Sequence, residues 1–310
     1  MPTTLIDSEN GVRDLIEEIE SSSLQPPLLF MDLEGIYLGR LGSLSILQVL
    51  VPPSPIVRLL DVHVLQKSAF ETKSSTATTF KDILESEKYP KVFFDLRNDS
   101  DALYSHFDVH LKSVIDIQLL EFGTRSVPGR FLKGLAKSIS EDGGLGYHKA
   151  REWQAGKDAG YKLFDPAKGG SYEVFNQRPL DQAIVDYCAS DVLLLPALLQ
   201  AYTRRLRGRE SLAINLQLEA EKRVSLSQSA TYNGKGQHMA HGPQGIQNRA
   251  SYNKKLTFPM SLVMSSELSE HCTLKAEMPK EKVVESAPAN TCLPAASTES
   301  ALDKLATLKI

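Results

Sequence analysis

The chain has 310 residues, an ordinary apolar fraction of 42% and a formal net charge of −3. That length suits one large domain or two small ones, and that charge leaves no global basic field, so any nucleic-acid partner must be gripped by a local cleft. Three cysteines, Cys188, Cys272 and Cys292, lie far apart with no C-x-x-C pair, which speaks against a disulfide framework or a zinc site and suits a reducing compartment.

Met1-Pro2-Thr3-Thr4 lacks the apolar core of a signal peptide, and no apolar run approaches membrane-spanning length. The expectation is an intracellular protein, cytoplasmic or nuclear, with no membrane partner. Residues 10–21 carry Val12, Leu15, Ile16 and Ile19 at helical spacing, with Asp7 or Ser8 as a cap. Pro26-Pro27 then breaks the chain. In residues 28–35 four apolar side chains run into Asp32, Leu33, Glu34 and Gly35, the pattern of a strand buried on both faces. Side chains alternate along a strand, so Asp32 and Glu34 share one face. Two carboxylates at the end of a buried strand repel each other and lose water, and a cation is the usual compensation. Mg²⁺ takes one or two protein carboxylates while binding substrate phosphates as well. The bland alternative is a strand that has surfaced, its acids in water.

Residues 44–51 and 56–65 read as a second and third strand, and their short connections predict an antiparallel meander. A helix follows at 80–86, and 91–96 is a fourth strand with the crossover of a parallel neighbour. Asn98-Asp99-Ser100 caps a helix running to about Phe107, and 114–119 is a fifth strand. Beyond it the pattern is helical over 130–140, 149–157 and 180–206, the last kinked by Pro196. Strands first, then crossed by helices, predict an α/β mixed sheet with helices on its faces. Composition shifts near residue 230 toward Ser, Ala, Lys, Glu, Asn and Gly. The expected organisation is a lead-in over 1–25, a main domain over 26–208, a helical extension over 209–230 and a low-complexity, disordered tail over 231–310. Within that tail, 302–308 has the pattern of a short amphipathic helix, marginal by itself.

Three further features join Asp32 and Glu34. The first is Asn98-Asp99-Ser100-Asp101, which reads either as a helix cap or as an acid facing Asp32 from the end of the fourth strand. The second is Tyr187 and Asp191, one helical turn apart on one face, among Ile184, Val185, Val192 and Leu193. The third is Arg178-Pro179-Leu180, a helix entry. Lys149, Arg151, Lys157, Lys162 and Lys168, interleaved with Trp153 and Tyr161, suit a single strand through charge and base stacking, or else a solvated helix face. Arg204-Arg205-Leu206-Arg207 reads as a helix C-terminus complementing its dipole.

In this order, Asp32-x-Glu34, an acid in the helix after the fourth strand, and Tyr187-x-x-x-Asp191 resemble the three motifs of the DEDD 3′–5′ exonuclease superfamily, in its tyrosine-bearing branch. Arg178-Pro179-Leu180 and Asp116-Ile117-Gln118 are similar to ribonuclease D. Gly35, Gly39-Arg40-Leu41-Gly42 and Leu44-Ser45-Ile46-Leu47 look closest to the Egalitarian-like relatives of ribonuclease D. The resemblance covers about residues 26–206. It implies a ribonuclease H-like fold, two divalent ions (Mg²⁺ or Mn²⁺), and hydrolysis at the 3′ end of single-stranded or frayed RNA or DNA, releasing nucleoside 5′-monophosphates. It makes Asp32, Glu34, Asp99 and Asp191 the ligand positions and Tyr187 the residue that orients the attacking water. Asp95, Asp99 and Asp101 compete for the second motif. Asp99 is preferred because it lies eight residues before Phe107, the spacing found in ribonuclease D relatives. Lys149, Arg151, Trp153 and Arg178 are the expected nucleic-acid contacts, and the tail is the candidate surface for protein partners. The rival readings are a catalytically silent RNA-binding adaptor on the same fold, since some members of the branch have lost acids, and a phosphodiesterase of small nucleotides.

Overall fold

A computed structural model describes residues 2–246, 255 and 259–264. The helix expected at 302–308 lies outside them. The centre is β2 (Leu29–Glu34), all six residues of which are buried. It pairs antiparallel with β3 (Ile46–Leu50), which pairs antiparallel with β4 (Val57–Asp61). This is the expected meander. On its other edge β2 runs parallel to β5 (Lys91–Phe93), and β5 runs parallel to β6 (Val114–Asp116). A strand missed by the sequence pattern, β1 (Thr3–Ile6), pairs parallel with β4 at the sheet edge. Its four residues are too few for a periodicity, and it borrows its order from β4. The sheet order is β1-β4-β3-β2-β5-β6, a mixed six-stranded sheet flanked by helices. Pairing of β2 with β5 ends at Phe30 and Val92. Asp32 and Glu34 therefore stand beyond the last β5 pair, at the carboxyl end of the strand, where open α/β sheets form their clefts.

Two apolar runs turn from strand to helix at an aspartate. Asp61 ends β4 by accepting from Val64 N at 3.0 Å, which starts the single turn α2 (Val62–Leu65). Asp116 ends β6 by accepting from Gln118 N at 3.0 Å and starts α6 (Ile117–Thr124). The third and fifth strands are thus shorter than their apolar patterns, because a cap outweighs strand propensity. The remaining helices are α1 (Glu9–Glu20), α3 (Ser68–Glu71), α4 (Phe80–Glu85), α5 (Arg97–Phe107), α7 (Leu135–Asp142), α8 (Tyr147–Phe164), α9 (Gln182–Leu193), α10 (Leu195–Leu206), α11 (Glu210–Ser227) and α12 (Met260–Val263). Ser8 caps α1, as expected. Helix α5 begins at Arg97 with Leu96 at its N-cap, two residues before the expected cap, so Asn98, Asp99 and Ser100 lie at its start instead of capping it. The long C-terminal helix is two: α9 ends at Leu193, and α10 starts with Pro196 in its first turn, the one place its ring fits. By length and hydropathy, 182–206 passes as a membrane span, against the sequence expectation. Here 61% of its most apolar window is buried inside the fold.

Helix α11 packs on α5, β6 and α6. Its buried Arg223 reaches Asp116 at 2.6 Å and Gln118 at 3.0 Å. The chain then continues in order past residue 230. Leu132 N donates to Ala240 O and Gly242 N to Arg130 O, and Met239 is 3% exposed. Residues 231–246, grouped with the tail by composition, are laid along the domain.

Candidate active site

Three elements bring the acids together. Asp32 and Glu34 share the face of β2 that alternation predicts. Helix α9 crosses β2, β3 and β4 and presents Asp191 to them. Carboxylate oxygens of Asp32, Glu34 and Asp191 all lie within 4.8 Å of one another, and Asp32 and Asp191 are buried. The loop after β2 is held tight against itself. A Cβ on Gly35 would lie 2.1 Å from Ser43 O, and one on Gly42 would lie 2.0 Å from Ile36 O. Only glycine permits that approach.

The entry to α9 is fixed by Arg178. Its guanidinium forms a two-pronged ion pair with the fully buried Asp61 and also donates to Phe175 O at 2.9 Å and Gln177 O at 2.7 Å. Ser45 Oγ donates to Asn176 Oδ1 at 2.7 Å. The start of α9 is thereby tied to the ends of β3 and β4. Arg178, expected at the nucleic acid, is engaged by the fold itself.

Helix α8 runs seven residues beyond its predicted end and lies against α9. Lys157 is 4% exposed; its ammonium pairs with Asp191 Oδ1 at 2.5 Å and lies 3.3 Å from the centre of the Tyr187 ring. Tyr161 and Phe164 meet Tyr187 edge-on, at 5.6 Å and 4.9 Å between ring centres. Burial, then the charges of Glu34 and Asp191, push the Tyr187 phenol well above its ordinary pKa. The metal-free site thus favours the neutral hydroxyl. The two helices approach each other tightly at Gly160, where a Cβ would lie 2.6 Å from Tyr187 Cβ. Gly160→Ala is therefore expected to cost about 1–3 kcal/mol by overpacking, read as a lower melting temperature, and to lower turnover by displacing Tyr187.

The second-motif acids separate by their partners. Burial works to raise the pKa of Asp95, but Arg97 and Arg223 outweigh it and hold the carboxyl below its usual range. Arg97 clasps Asp95 with two bonds of 2.6 Å. Asp101 accepts from Arg40 Nε at 2.7 Å and Arg40 N at 2.8 Å. Asp99, 5% exposed, lines the same cleft as Asp32, Glu34 and Tyr187, outside the three-carboxylate group. That cleft has a volume of about 400 Å³. None of Lys149, Arg151, Trp153 and Arg178 lines it. Lys149 and Arg151 are exposed on α8, Arg151 against Tyr147, and the Trp153 indole donates to Ser190 O at 3.4 Å. Among the described residues, the basic ones that line the cleft are instead Arg40 and Lys235. Lys157 and Lys235 were both missed as site residues: the first stood among several spaced lysines, the second in a stretch without periodicity.

A family model for the 3′–5′ exonuclease domain matches residues 4–207. The fold is similar to Trypanosoma brucei RNase D in complex with RNA U12, with a TM-score of 0.61 and 18% identity over 79% of this chain and 78% of that one. It is similar to Brucella melitensis NrnC with bound Mg²⁺, with a TM-score of 0.51 and 17% identity over 76% of this chain and 100% of that one. It is also similar to Escherichia coli RNase D, an exoribonuclease involved in structured RNA processing, with a TM-score of 0.54 and 16% identity over 74% of this chain and 52% of that one. No curated protein matches the chain.

Proposed function

This chain belongs to the 3′–5′ exonuclease family, and on that premise we propose that it is a metal-dependent hydrolase that removes nucleoside 5′-monophosphates from the 3′ end of single-stranded or frayed nucleic acid. The observation that carries the reading is the convergence of Asp32, Glu34 and Asp191 beside the buried Tyr187 phenol. An all-carboxylate set suits a hard divalent cation, so these residues fit the metal the family implies. In this reading Asp32, Glu34, Asp99 and Asp191 hold two Mg²⁺ or Mn²⁺ ions. Bound there, such ions supply a hydroxide at neutral pH and stabilise the leaving oxygen. The chain's own residues do the positioning. Tyr187 orients the attacking water by a hydrogen bond from its hydroxyl. Lys157 holds Asp191 in one orientation and offsets part of the acidic charge. Arg178 sets the angle at which α9 delivers both. RNA bound to the Trypanosoma brucei relative supports a nucleic-acid substrate.

A silent RNA-binding adaptor is the rival, and retention of all four acids favours the enzyme. Kinship with the Egalitarian-like branch rests on the glycine loop after Glu34. A Mn²⁺-dependent assay on labelled oligonucleotides of different length and sugar tests the reading: no release of monophosphate from any of them would leave the adaptor. The second-motif assignment is tested by a contrast. Asp101→Asn weakens the bonds from Arg40 and is expected to lower stability by about 1–3 kcal/mol, with turnover per folded molecule kept. Asp99→Asn is expected to lose turnover and Mn²⁺ affinity at an unchanged melting temperature. The reverse pattern would make Asp101 the ligand.

A further inference from the structure

The cleft presents a polyanion with an obstacle. Among the described residues, its walls carry Asp32, Glu34, Asp95, Asp99 and Asp101 against two basic residues. Of those two, Arg40 is engaged by Asp101 and by the carbonyls of Ser227 at 2.7 Å and Ala230 at 3.3 Å. Lys235 is different. It is exposed, and its ammonium lies 5.3 Å from the centre of the Tyr37 ring, with no carboxylate partner among the described residues. Tyr37 is itself 57% exposed and sits 5.0 Å from Tyr172 at the cleft wall.

Lys235 is held there by design of the backbone around it. Tyr232 Oη donates to Asn98 Oδ1 at 2.9 Å, and the Arg40 guanidinium lies 5.5 Å from the Tyr232 ring. Gly234 passes so close to Asn98 that a Cβ would lie 2.2 Å from its Oδ1. Lys235 N donates to Asn233 Oδ1 at 3.0 Å, and Arg97 donates to Met239 O at 3.0 Å. The segment is thus fastened to the first turn of α5, the turn that carries Asp99. It also lies beyond residue 207, where the match to the family ends.

We propose that residues 232–236 are a nucleic-acid-binding strap at the mouth of the cleft, with Lys235 taking a backbone phosphate of the incoming strand, upstream of the scissile bond, and Tyr37 stacking the adjacent base. An exposed ammonium on a ring is weakly held, so a phosphate draws it away, and that movement uncovers the ring for a base. Charge with an aromatic platform is how single strands are held without sequence preference. The inference deepens the exonuclease reading and rests on it for the direction of the strand.

The test compares Lys235→Ala and Lys235→Glu with the wild type. Anisotropy of a labelled 12-nucleotide single strand, in Ca²⁺ to hold off cleavage, should show binding weakened about 3–10-fold for alanine and further for glutamate. The slope of log affinity against log salt should fall by about 0.7, the loss of one phosphate contact on a single strand. Turnover of the p-nitrophenyl ester of thymidine 5′-monophosphate, which has no upstream phosphate, should stay at the wild-type rate. Wild-type affinity and slope in both variants would overturn the proposal. An equal loss on the small ester would also overturn it, by making Lys235 part of the metal centre. If the wild type cleaves neither substrate, the exonuclease reading fails, while the binding measurements still decide the role of Lys235.

Discussion

Asp32→Asn is expected to abolish cleavage and, at the same time, to raise the melting temperature of the metal-free protein. Asp32, Glu34 and Asp191 bring carboxylate oxygens within 4.8 Å of one another. At an effective dielectric near 20, like charges at that distance repel by roughly 3–4 kcal/mol before screening. Lys157 offsets only part of this, since its one ammonium contacts Asp191 and three acids share the site. Removing one negative charge while keeping the shape therefore relieves strain that the functional site retains. Glu34→Gln should behave alike. A cation at one hundred times its Kd stabilises by about 2.7 kcal/mol, about 5–10 °C for a domain of this size. The wild type should show that shift with Mn²⁺, and Asp32→Asn should not. Wild-type turnover of Asp32→Asn in Mg²⁺ or Mn²⁺ would sink the metal assignment.

Tyr187→Phe is expected to lower turnover by about 10²–10⁴-fold, the usual cost of losing one positioning or acid–base group. The ring should stay where it is. Lys157 covers one face, Tyr161 and Phe164 meet it edge-on, and Gly160 lies against Cβ. None of these contacts uses the hydroxyl. Mn²⁺ affinity and strand affinity should therefore persist in calorimetric titration while single-turnover rates fall. Asp191→Asn separates from it on stability as well as metal binding. It leaves the buried Lys157 ammonium without its carboxylate, a loss of about 3–5 kcal/mol when a buried pair is broken from one side. So Asp191→Asn should melt lower where Asp32→Asn melts higher, although both lose the metal. Wild-type turnover in Tyr187→Phe would make the phenol a packing residue and leave the water to another group.

The acids were legible because their information is local. An apolar run that ends in Asp-x-Glu places both carboxylates on one face of a strand whatever surrounds it. Tyr187 and Asp191 share a helix face for the same reason. The meander followed from the short connections between its strands. Element ends were less legible where a capping aspartate, Asp61 or Asp116, stood inside an apolar run, although each aspartate was itself the signal. The break between α9 and α10 was visible as Pro196.

Other features were decided only by tertiary structure. Asp95, Asp99 and Asp101 fall within one short stretch and look alike. Their separation depends on Arg97, Arg223 and Arg40, which reach them from three different elements. Arg178 looked available for a phosphate until the fold set the buried Asp61 against it. Lys157 was one lysine in a basic stretch, and only the approach of α8 to α9 at Gly160 set it on Asp191. Residues 231–246 had the composition of a tail, yet Met239 and Ile246 are buried and Lys235 reaches the cleft. Periodicity tells which face of an element is covered, since burial of that face stabilises every fold that contains it. It does not tell what covers the face, because the partner of a charge is chosen by contacts between residues far apart in the chain, and no local pattern records them.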